Sequence, residues 1–279
     1  MKKLFVFLTS LALVTLPLLP AGPNVVLAQD PAPPTCPSRV RAQEPEPWAC
    51  PTGVEARADT GDIQFVSQFG GSTCAVAVQG NYAYIGVGPR LLVLDISNPD
   101  HPAVVGQTGV LPGVVQGVAV AGSYAYVTAA GLYIINVSDP ANPTQVGACT
   151  AGGRDVVVAG NYAYVAGGGG LRVINVADPA HPTETGFHDT PGSAYDVAVS
   201  GSYAYVADYD GGLRVISVAD PANPYEVGHY EYDSSSGTQA WGVYVVDDYA
   251  YIAEAWGGLR VISVADPSHP ILVSLRGMG

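Results

Sequence analysis

Lysine is almost absent from this sequence, and its absence narrows the choice of partners. The two lysines are Lys2 and Lys3, and charged residues make up only 13% of the 279 residues. Beyond residue 28, nine arginines stand against 24 acidic residues, a formal charge of −15. Such a chain should be repelled by nucleic acid and by anionic lipid. We therefore predict no nucleic-acid partner, and we interpret the acidity as a contribution to solubility.

Helical periodicity and the common catalytic motifs are also missing. No window shows the 3.6-residue period of an amphipathic helix, which excludes a helical solenoid. The run GGGG at 167–170 is followed by neither a helix nor a lysine, so it is not a phosphate-binding loop. No nucleophile elbow and no Ser-His-Asp spacing occurs. Glycine (34), proline (23) and tyrosine (17) are abundant instead, which favours turns and strands.

Cysteine is scarce, and its spacing is not that of a metal site. Cys36 and Cys50 lie in a proline-rich stretch and are the candidate disulfide if the chain is exported. Zinc is the alternative, but no pair has Cys-x-x-Cys spacing and no histidine is near. Cys74 and Cys149 fall at different positions of the repeat described below. We expect both to be free and buried.

The N-terminus has the pattern of a secretory signal peptide, residues 1–28. The two lysines precede an apolar stretch, and small residues allow cleavage after Ala28. An uncleaved membrane anchor is the alternative, but three prolines in the segment argue against it. We therefore predict a secreted or cell-surface protein without membrane insertion after cleavage. Residues 29–61 are rich in proline and are interpreted as a linker or stalk.

The rest of the chain, 62–279, is an internal repeat of about 40 residues. Each unit reads as four short strands: A (such as DVAV), B (YAYV), C (LRVISV) and D, which follows a proline corner such as DPANP. A two-residue Gly-Asn or Gly-Ser turn joins A to B. The tyrosine pairs of strand B recur at spacings of 38 to 46 residues: Tyr82/Tyr84, Tyr124/Tyr126, Tyr162/Tyr164, Tyr203/Tyr205 and Tyr249/Tyr251.

Four strands per 40-residue unit predict an all-β fold, a β-propeller of about five four-stranded blades. The repeat units are expected at about 62–102, 103–143, 144–182, 183–224 and 225–270, with a partial unit at 271–279. Residues 62–71 and 271–277 both align with strand D, which gives six D strands for five A–B–C sets. The sequence therefore leaves open a five-blade ring with a spare strand, or part of a ring of six or more blades.

These repeats resemble a known family. YAYV followed by GLRVISVADPANP is similar to the LVIVD repeat of secreted and surface bacterial proteins, and the resemblance extends over residues 62–279. It implies a β-propeller. It implies no catalytic residues, because the family has no general activity that could be carried over.

The order of strands places the B–C and D–A loops on one rim, the variable rim, and the A–B turns and proline corners on the other. The proline-corner rim is uniform: Asp or Asn before proline caps each turn. Its histidines (His101, His181, His269) belong to different blades and are interpreted as structural. The variable rim differs between blades, and variable loops are where binding residues are most often found.

Blades 4 and 5 concentrate acidic and aromatic residues on the variable rim. The candidate ligand-binding residues are Asp208, Tyr209, Asp210, Glu254, Trp256, Asp233 and Trp241. Solvated loop tips without a ligand are the alternative. The stretch DYDGG has part of the pattern of a calcium loop but lacks its later ligands, so calcium is an alternative to a protein without cofactors.

We therefore predict an exported, non-catalytic recognition or scaffolding propeller that binds an extracellular protein or glycan through the variable rim. The alternative is an extracellular carbohydrate-active enzyme, a hydrolase or lyase, in which Asp208 and Glu254 act as paired carboxylates. The sequence leaves enzymatic activity open and favours its absence. The ligand, the oligomeric state and the number of blades are not determined by the sequence.

Overall fold

The computed structural model describes residues 73–232, 238–255 and 257–277. The chain divides into two units, Met1–Gln68 and Phe69–Gly279, and the described residues all belong to the second. The predicted signal peptide, the linker, the Cys36–Cys50 pair and the strand expected at 62–71 lie outside the described residues. Within the described ranges, no helix is long and apolar enough to cross a membrane.

In the part of the chain that the structure describes, twenty strands form five antiparallel sheets, and each sheet contains four consecutive strands, A to D. Blade 1 contains β1 (Thr73–Gln79), β2 (Tyr82–Val87), β3 (Arg90–Asp95) and β4 (Ala103–Gln107). Blade 2 contains β5 (Gly117–Ala121), β6 (Tyr124–Thr128), β7 (Leu132–Asn136) and β8 (Thr144–Cys149). Blade 3 contains β9 (Asp155–Ala159), β10 (Tyr162–Gly167), β11 (Gly170–Asn175) and β12 (Thr183–Asp189).

Blade 4 contains β13 (Asp196–Ser200), β14 (Tyr203–Ala207), β15 (Leu213–Ser217) and β16 (Tyr225–Tyr230). Blade 5 contains β17 (Ala240–Val246), β18 (Tyr249–Glu254), β19 (Gly258–Ser263) and β20 (Ile271–Arg276). The all-β propeller of five four-stranded blades is thus confirmed. Each sheet begins within one predicted repeat unit and takes its strand D from the next, and β20 completes blade 5.

The A–B turns form because glycine allows a positive φ angle at the first turn residue. Gly80, Gly122, Gly160 and Gly201 have φ of 58–60°, and a Cβ there would meet no atom within 4 Å. These glycines are therefore required by the backbone conformation and not by packing. In blade 5 the equivalent residue is Asp247, with φ of 51°.

The proline corners are capped as the sequence predicts. In the corner of blade 4, Ala222 N–H donates to Asp220 Oδ1 at 3.0 Å, and the same bond recurs from Ala141 to Asp139 and from Ser268 to Asp266. The pKa values of the three carboxyl groups lie below their usual range, first because a side-chain donor bonds each of them (Asn223, Asn142 and Ser268) and then because of these backbone bonds. His181 and His269 contact the aspartates of their own corners.

The hydrophobic core lies between successive blades. We call the sheet face toward the next blade in chain order the forward face and the opposite one the backward face. Between blades 4 and 5, Tyr205, Leu213 and Val215 on the forward face pack against Val243 and Ile252 on the backward face. Equivalent cores lie between the other successive blades. The second tyrosine of strand B is buried in blades 1 to 4: Tyr84, Tyr126, Tyr164 and Tyr205.

The forward face of blade 5 is an exception among these surfaces. Leu259 is 38% exposed, whereas its counterpart Leu213 in blade 4 is 0% exposed. Val246, Tyr249, Ile271 and Val273 of blade 5 are also exposed. No blade among the described residues covers this face.

The two cysteines of the propeller are free, as expected, but they are not buried. Cys74 is exposed and Cys149 is half-buried. Cys74 stands just before the buried part of strand β1, at the variable rim, and Cys149 ends the edge strand β8. The prediction of burial was wrong, because the ends of these two strands are accessible to solvent.

Candidate functional site

The site is built on the innermost strands, because strand A of each blade contacts strand A of the next: β1, β5, β9, β13 and β17 in order. Residues at the equivalent position at the start of these strands therefore become neighbours although about 40 positions separate them in sequence. At the variable rim this place holds Arg154, Tyr195 and Trp241 in blades 3, 4 and 5. Tyr209 joins them from the B–C loop of blade 4.

We call Arg154, Tyr195, Tyr209 and Trp241 the rim cluster. The rings of Tyr195 and Tyr209 are stacked, with centroids 5.0 Å apart and planes 16° from parallel. Trp241 is tilted against Tyr195 at 4.9 Å and meets Tyr209 edge-on at 6.0 Å. The rings are half-buried, so the cluster is a surface of aromatic groups and not part of the core.

Arg154 extends the stack with a cation. Its Cζ lies 4.0 Å from the centroid of the Tyr195 ring, a cation–π contact. The residue is exposed, and its side chain forms no ion pair with a carboxylate of the described residues. Its backbone N–H bonds Ala166 O at 2.7 Å, which fixes where the side chain emerges.

Tyr209 is held in place by its backbone. Tyr209 N–H donates to Ala240 O at 3.2 Å, and Ala240 N–H donates to Tyr209 O at 2.9 Å. Its φ of 52° turns the B–C loop so that this bridge to blade 5 can form. The loop of blade 4 is thereby attached to strand β17 next to Trp241.

Asp208, a predicted ligand residue, is fully buried and braces two loops. Thr190 Oγ1 donates to Asp208 Oδ1 at 2.6 Å, and Gly192 N–H donates to Oδ2 at 2.8 Å. Arg214 Nε lies 3.8 Å from Oδ2. Burial raises the pKa of Asp208, and the two hydrogen bonds and Arg214 oppose that rise. Both oxygens are thus engaged within the protein, and ligand binding by this carboxylate stays a prediction.

Glu254 holds the equivalent position in blade 5 and is also engaged. Arg260 binds it through two bonds, from Nε to Oε1 and from Nη2 to Oε2 at 3.3 Å. The guanidinium of Arg260 also lies over Tyr232, 4.7 Å from the ring centroid. Burial, and then the charge of Glu254, raise the pKa of Tyr232. Because the pair forms two hydrogen bonds, it fixes the orientations of the Glu254 and Arg260 side chains.

A pair of aspartates beside the rim cluster was not predicted from the sequence. Asp155 and Asp196 begin strands β9 and β13, and each reaches to the next inner strand. Asp155 Oδ2 accepts from Val197 N at 3.3 Å, and Asp196 Oδ2 accepts from Val243 N at 2.7 Å. Burial, and then the neighbouring charge of Asp155, raise the pKa of Asp196 well above its usual value.

The structure brings some of the predicted residues together and separates others. Tyr209 and Trp241 belong to the rim cluster, whereas Asp208 and Glu254 lie beneath the loops in separate networks. Asp210 is exposed at the loop tip. Asp233 and Trp256 lie outside the described residues.

Sequence reasoning missed Arg154, Tyr195, Asp155 and Asp196, although a signal for them was present. Each stands at the start of strand A, in GRD of blade 3 and AYD of blade 4. Aligning the repeats by this position, instead of by loop composition, identifies the residues that adjacent inner strands bring together.

A cleft elsewhere on the surface contains none of the predicted site residues. Its volume is about 660 Å³, and it lies between β16 and the proline corner of blade 5, lined among others by Glu226, His229 and His269. The candidate site is therefore the exposed surface of the rim cluster.

The five repeated blades and their loop-borne surface site define a repeat protein of the β-propeller class. The model of the LVIVD repeat matches residues 70–108, 112–151, 152–190, 191–232 and 237–275, one match for each blade. The chain belongs to the LVIVD repeat family. A comparison with curated protein sequences finds no significant match.

Two solved structures show the same fold. The computationally designed Ika8 protein has a TM-score of 0.58 at 13% identity, and the match covers 74% of this chain and 62% of that protein. The periplasmic gluconolactonase PpgL of Pseudomonas aeruginosa has a TM-score of 0.61 at 12% identity, over 73% of this chain and 71% of that protein. The chain thus spans less than two thirds of the designed protein's length, and the likeness extends to the fold alone.

Proposed function

We propose that this chain is an exported, non-catalytic recognition module that binds a carbohydrate through the rim cluster. Export is inferred from the signal-peptide pattern of residues 1–28, and it puts the module in the bacterial exterior or at the cell surface. The observation that carries the binding proposal is the grouping of Tyr195, Tyr209 and Trp241 within 6.0 Å of one another on a loop-bearing rim.

Aromatic rings suit a carbohydrate for a physical reason. A sugar ring has an apolar C–H face that can lie against an aromatic ring, and hydroxyl groups that bond polar neighbours. Tyrosine and tryptophan offer a rigid apolar area with a polar edge and lose little conformational entropy on binding. A surface formed by three blades can also follow an extended polymer, which an enclosed pocket cannot do.

The carboxylates of Asp208 and Glu254 are bound within the protein, which supports a non-catalytic role. A glycoside hydrolase needs two carboxyl groups that face the substrate across the scissile bond. Asp208 has 0% exposure and accepts bonds from Thr190 and Gly192, and Glu254 is bound by Arg260. Freeing Glu254 would leave the buried guanidinium of Arg260 without its carboxylate, and freeing Asp208 would leave the donors of Thr190 and Gly192 unpaired, both of which are energetically costly.

The proposal requires no cofactor. The calcium alternative rests on Asp208 and Asp210. Both oxygens of Asp208 already accept hydrogen bonds within the protein, and Oδ2 also lies near Arg214. We propose an extracellular glycan as the partner, with a protein partner as the alternative that the experiment below distinguishes.

The test is a glycan array combined with a protein pull-down from the secreted fraction and a panel of hydrolase and lyase substrates. We expect binding to at least one glycan, no turnover, and loss of binding in Tyr195→Ala and Trp241→Ala. Tyr225→Ala is the matched control, because Tyr225 is an exposed tyrosine on β16, outside the rim cluster. Turnover of a carbohydrate, or glycan binding that both rim variants retain, would contradict the proposal.

A further inference from the structure

We propose that the carbohydrate bound by the rim cluster is acidic, and that the guanidinium of Arg154 binds its carboxylate group. This inference rests on the proposed carbohydrate-binding function and specifies its ligand class as a uronate. Three observations carry it: Arg154 lies over the ring of Tyr195, it is exposed, and it has no acidic partner among the described residues.

The geometry of Arg154 leaves its hydrogen-bond donors available. A guanidinium that lies over an aromatic ring uses its flat face for the contact, and its N–H groups point outward in the plane. Arg154 lies 4.0 Å over Tyr195, and the ring of Tyr195 is also stacked on that of Tyr209. The side chain is therefore already ordered, so that less entropy is lost when a carboxylate binds it through two parallel hydrogen bonds.

Four other arginines of the propeller are used internally. Arg172 binds Glu184, Arg214 lies among three carboxylates, and Arg260 binds Glu254. Arg90 Nη1 donates to the Thr108 carbonyl. Arg276 in β20 is exposed and also has no acidic partner among the described residues, but unlike Arg154 it lies over no aromatic ring there. In a chain with an excess of acidic residues, an exposed arginine without an acidic partner among the described residues is available for an external anion.

The acidic residues near the rim cluster do not cancel this preference. Asp155 and Asp196 direct oxygens at backbone N–H groups of the next inner strands. Asp208 faces Arg214 at 3.8 Å. The net negative charge of the whole chain acts over a longer range and is screened beyond about 8 Å at physiological ionic strength. A carboxylate in direct contact with Arg154 is screened much less.

The cluster then offers two contacts of different kinds to one sugar residue or to two neighbouring ones. The guanidinium binds the carboxylate, and the half-buried rings of Tyr209 and Trp241 provide the surface for the apolar face of the sugar. Specificity for the acid over its neutral counterpart comes from Arg154, whereas affinity for carbohydrate in general comes from the rings.

The experiment measures binding by isothermal titration to hexamers of galacturonate, mannuronate and guluronate, and to the carboxyl-reduced, neutral form of each. We expect at least one uronate hexamer to bind the wild-type protein at least tenfold more tightly than its neutral form. Arg154→Gln should abolish that difference, and Arg154→Lys, which keeps the charge without the planar fork, should restore it only in part. Thermal unfolding verifies that the variants fold.

Arg172→Gln is the matched control, because Arg172 also lies over an aromatic ring, Phe187 at 4.7 Å, but is paired with Glu184. It should leave the acid preference unchanged. Equal binding of acid and neutral hexamers would overturn the inference while leaving the carbohydrate function intact. Binding of a hexaglutamate peptide in place of every sugar, or retention of the acid preference by Arg154→Gln, would also overturn it. Failure of every glycan on the array would instead overturn the proposed function.

Discussion

Gly228 in strand β16 lies directly under the carbonyl oxygen of Pro267 in the proline corner of the next blade, so close that a Cβ atom would overlap that oxygen. The same approach occurs from Gly106 to Pro140, from Gly147 to Pro179 and from Gly186 to Pro221. The glycine of strand D therefore sets how closely successive blades approach. In blade 5 the equivalent residue is the exposed Ser274.

Gly228→Ala should destabilise the propeller by at least about 2 kcal/mol, because the methyl group must displace backbone of the neighbouring blade. Ser274→Ala, at the exposed equivalent position, should change the free energy of unfolding by no more than about 0.5 kcal/mol. Urea unfolding of both variants measures the difference. If Gly228→Ala were as stable as wild type, the blades could separate slightly without a loss of stability.

Asp247→Gly should stabilise the protein by about 0.5–1 kcal/mol. Asp247 has a φ of 51° in a turn where the other four blades use glycine, and a side chain in this region is strained. The converse change, Gly201→Asp, should cost a similar amount. Thermal unfolding of both variants tests the pair, and opposite shifts in Tm are required.

Leu213→Ala and Leu259→Ala compare one repeat position in two environments. Leu213 is 0% exposed between blades 4 and 5, so its truncation should cost about 3 kcal/mol. Leu259 is 38% exposed on the forward face of blade 5, so its truncation should cost less than about 1 kcal/mol. Equal costs in urea unfolding would mean that the forward face of blade 5 is covered in solution.

Asp155→Asn should stabilise the protein at pH 7 more than at pH 4. The raised pKa of Asp196 means that the folded state holds its proton at pH values where the unfolded state has released it. Stability is therefore lost as the pH rises from the unfolded pKa of about 3.9 through the raised folded value. Removing the charge of Asp155 removes one cause of the raised pKa.

The measurement for this pair is the urea midpoint of wild type and Asp155→Asn between pH 4 and pH 8. The gain of the variant should be smallest at the acid end, where Asp196 is protonated and carries no charge for Asp155 to repel, and should exceed about 0.5 kcal/mol at pH 7. A gain independent of pH would indicate that the charge of Asp155 does not act on Asp196.

The strands and turns were predictable because their causes are local. Alternation of Tyr and Ala in strand B determines which face carries the bulky side chains, and glycine at a turn determines where the chain reverses. Asp220 caps its corner through residues two positions away. None of these features depends on where other blades lie.

The site was predicted only in part, because its residues are brought together by contacts between blades. Tyr209 and Trp241 were found from the composition of their loops. Arg154 and Tyr195 were missed because the residue types in their loops are ordinary, and their proximity follows from the contact between β9, β13 and β17. Composition also placed Asp208 among the ligand residues, whereas Thr190 and Gly192, from another loop, engage its carboxylate.

The sequence by itself thus determined the repeat, the family and the propeller, since period-two alternation and turn chemistry act over a few residues. Only the tertiary structure decided which polar groups are engaged and which face outward. In the sequence, an arginine and an aspartate are equally plausible as ligand-binding residues. Asp208 is buried and connects two loops, because Thr190 and Gly192 donate hydrogen bonds to it. Arg154 stays exposed and lies over the ring of Tyr195.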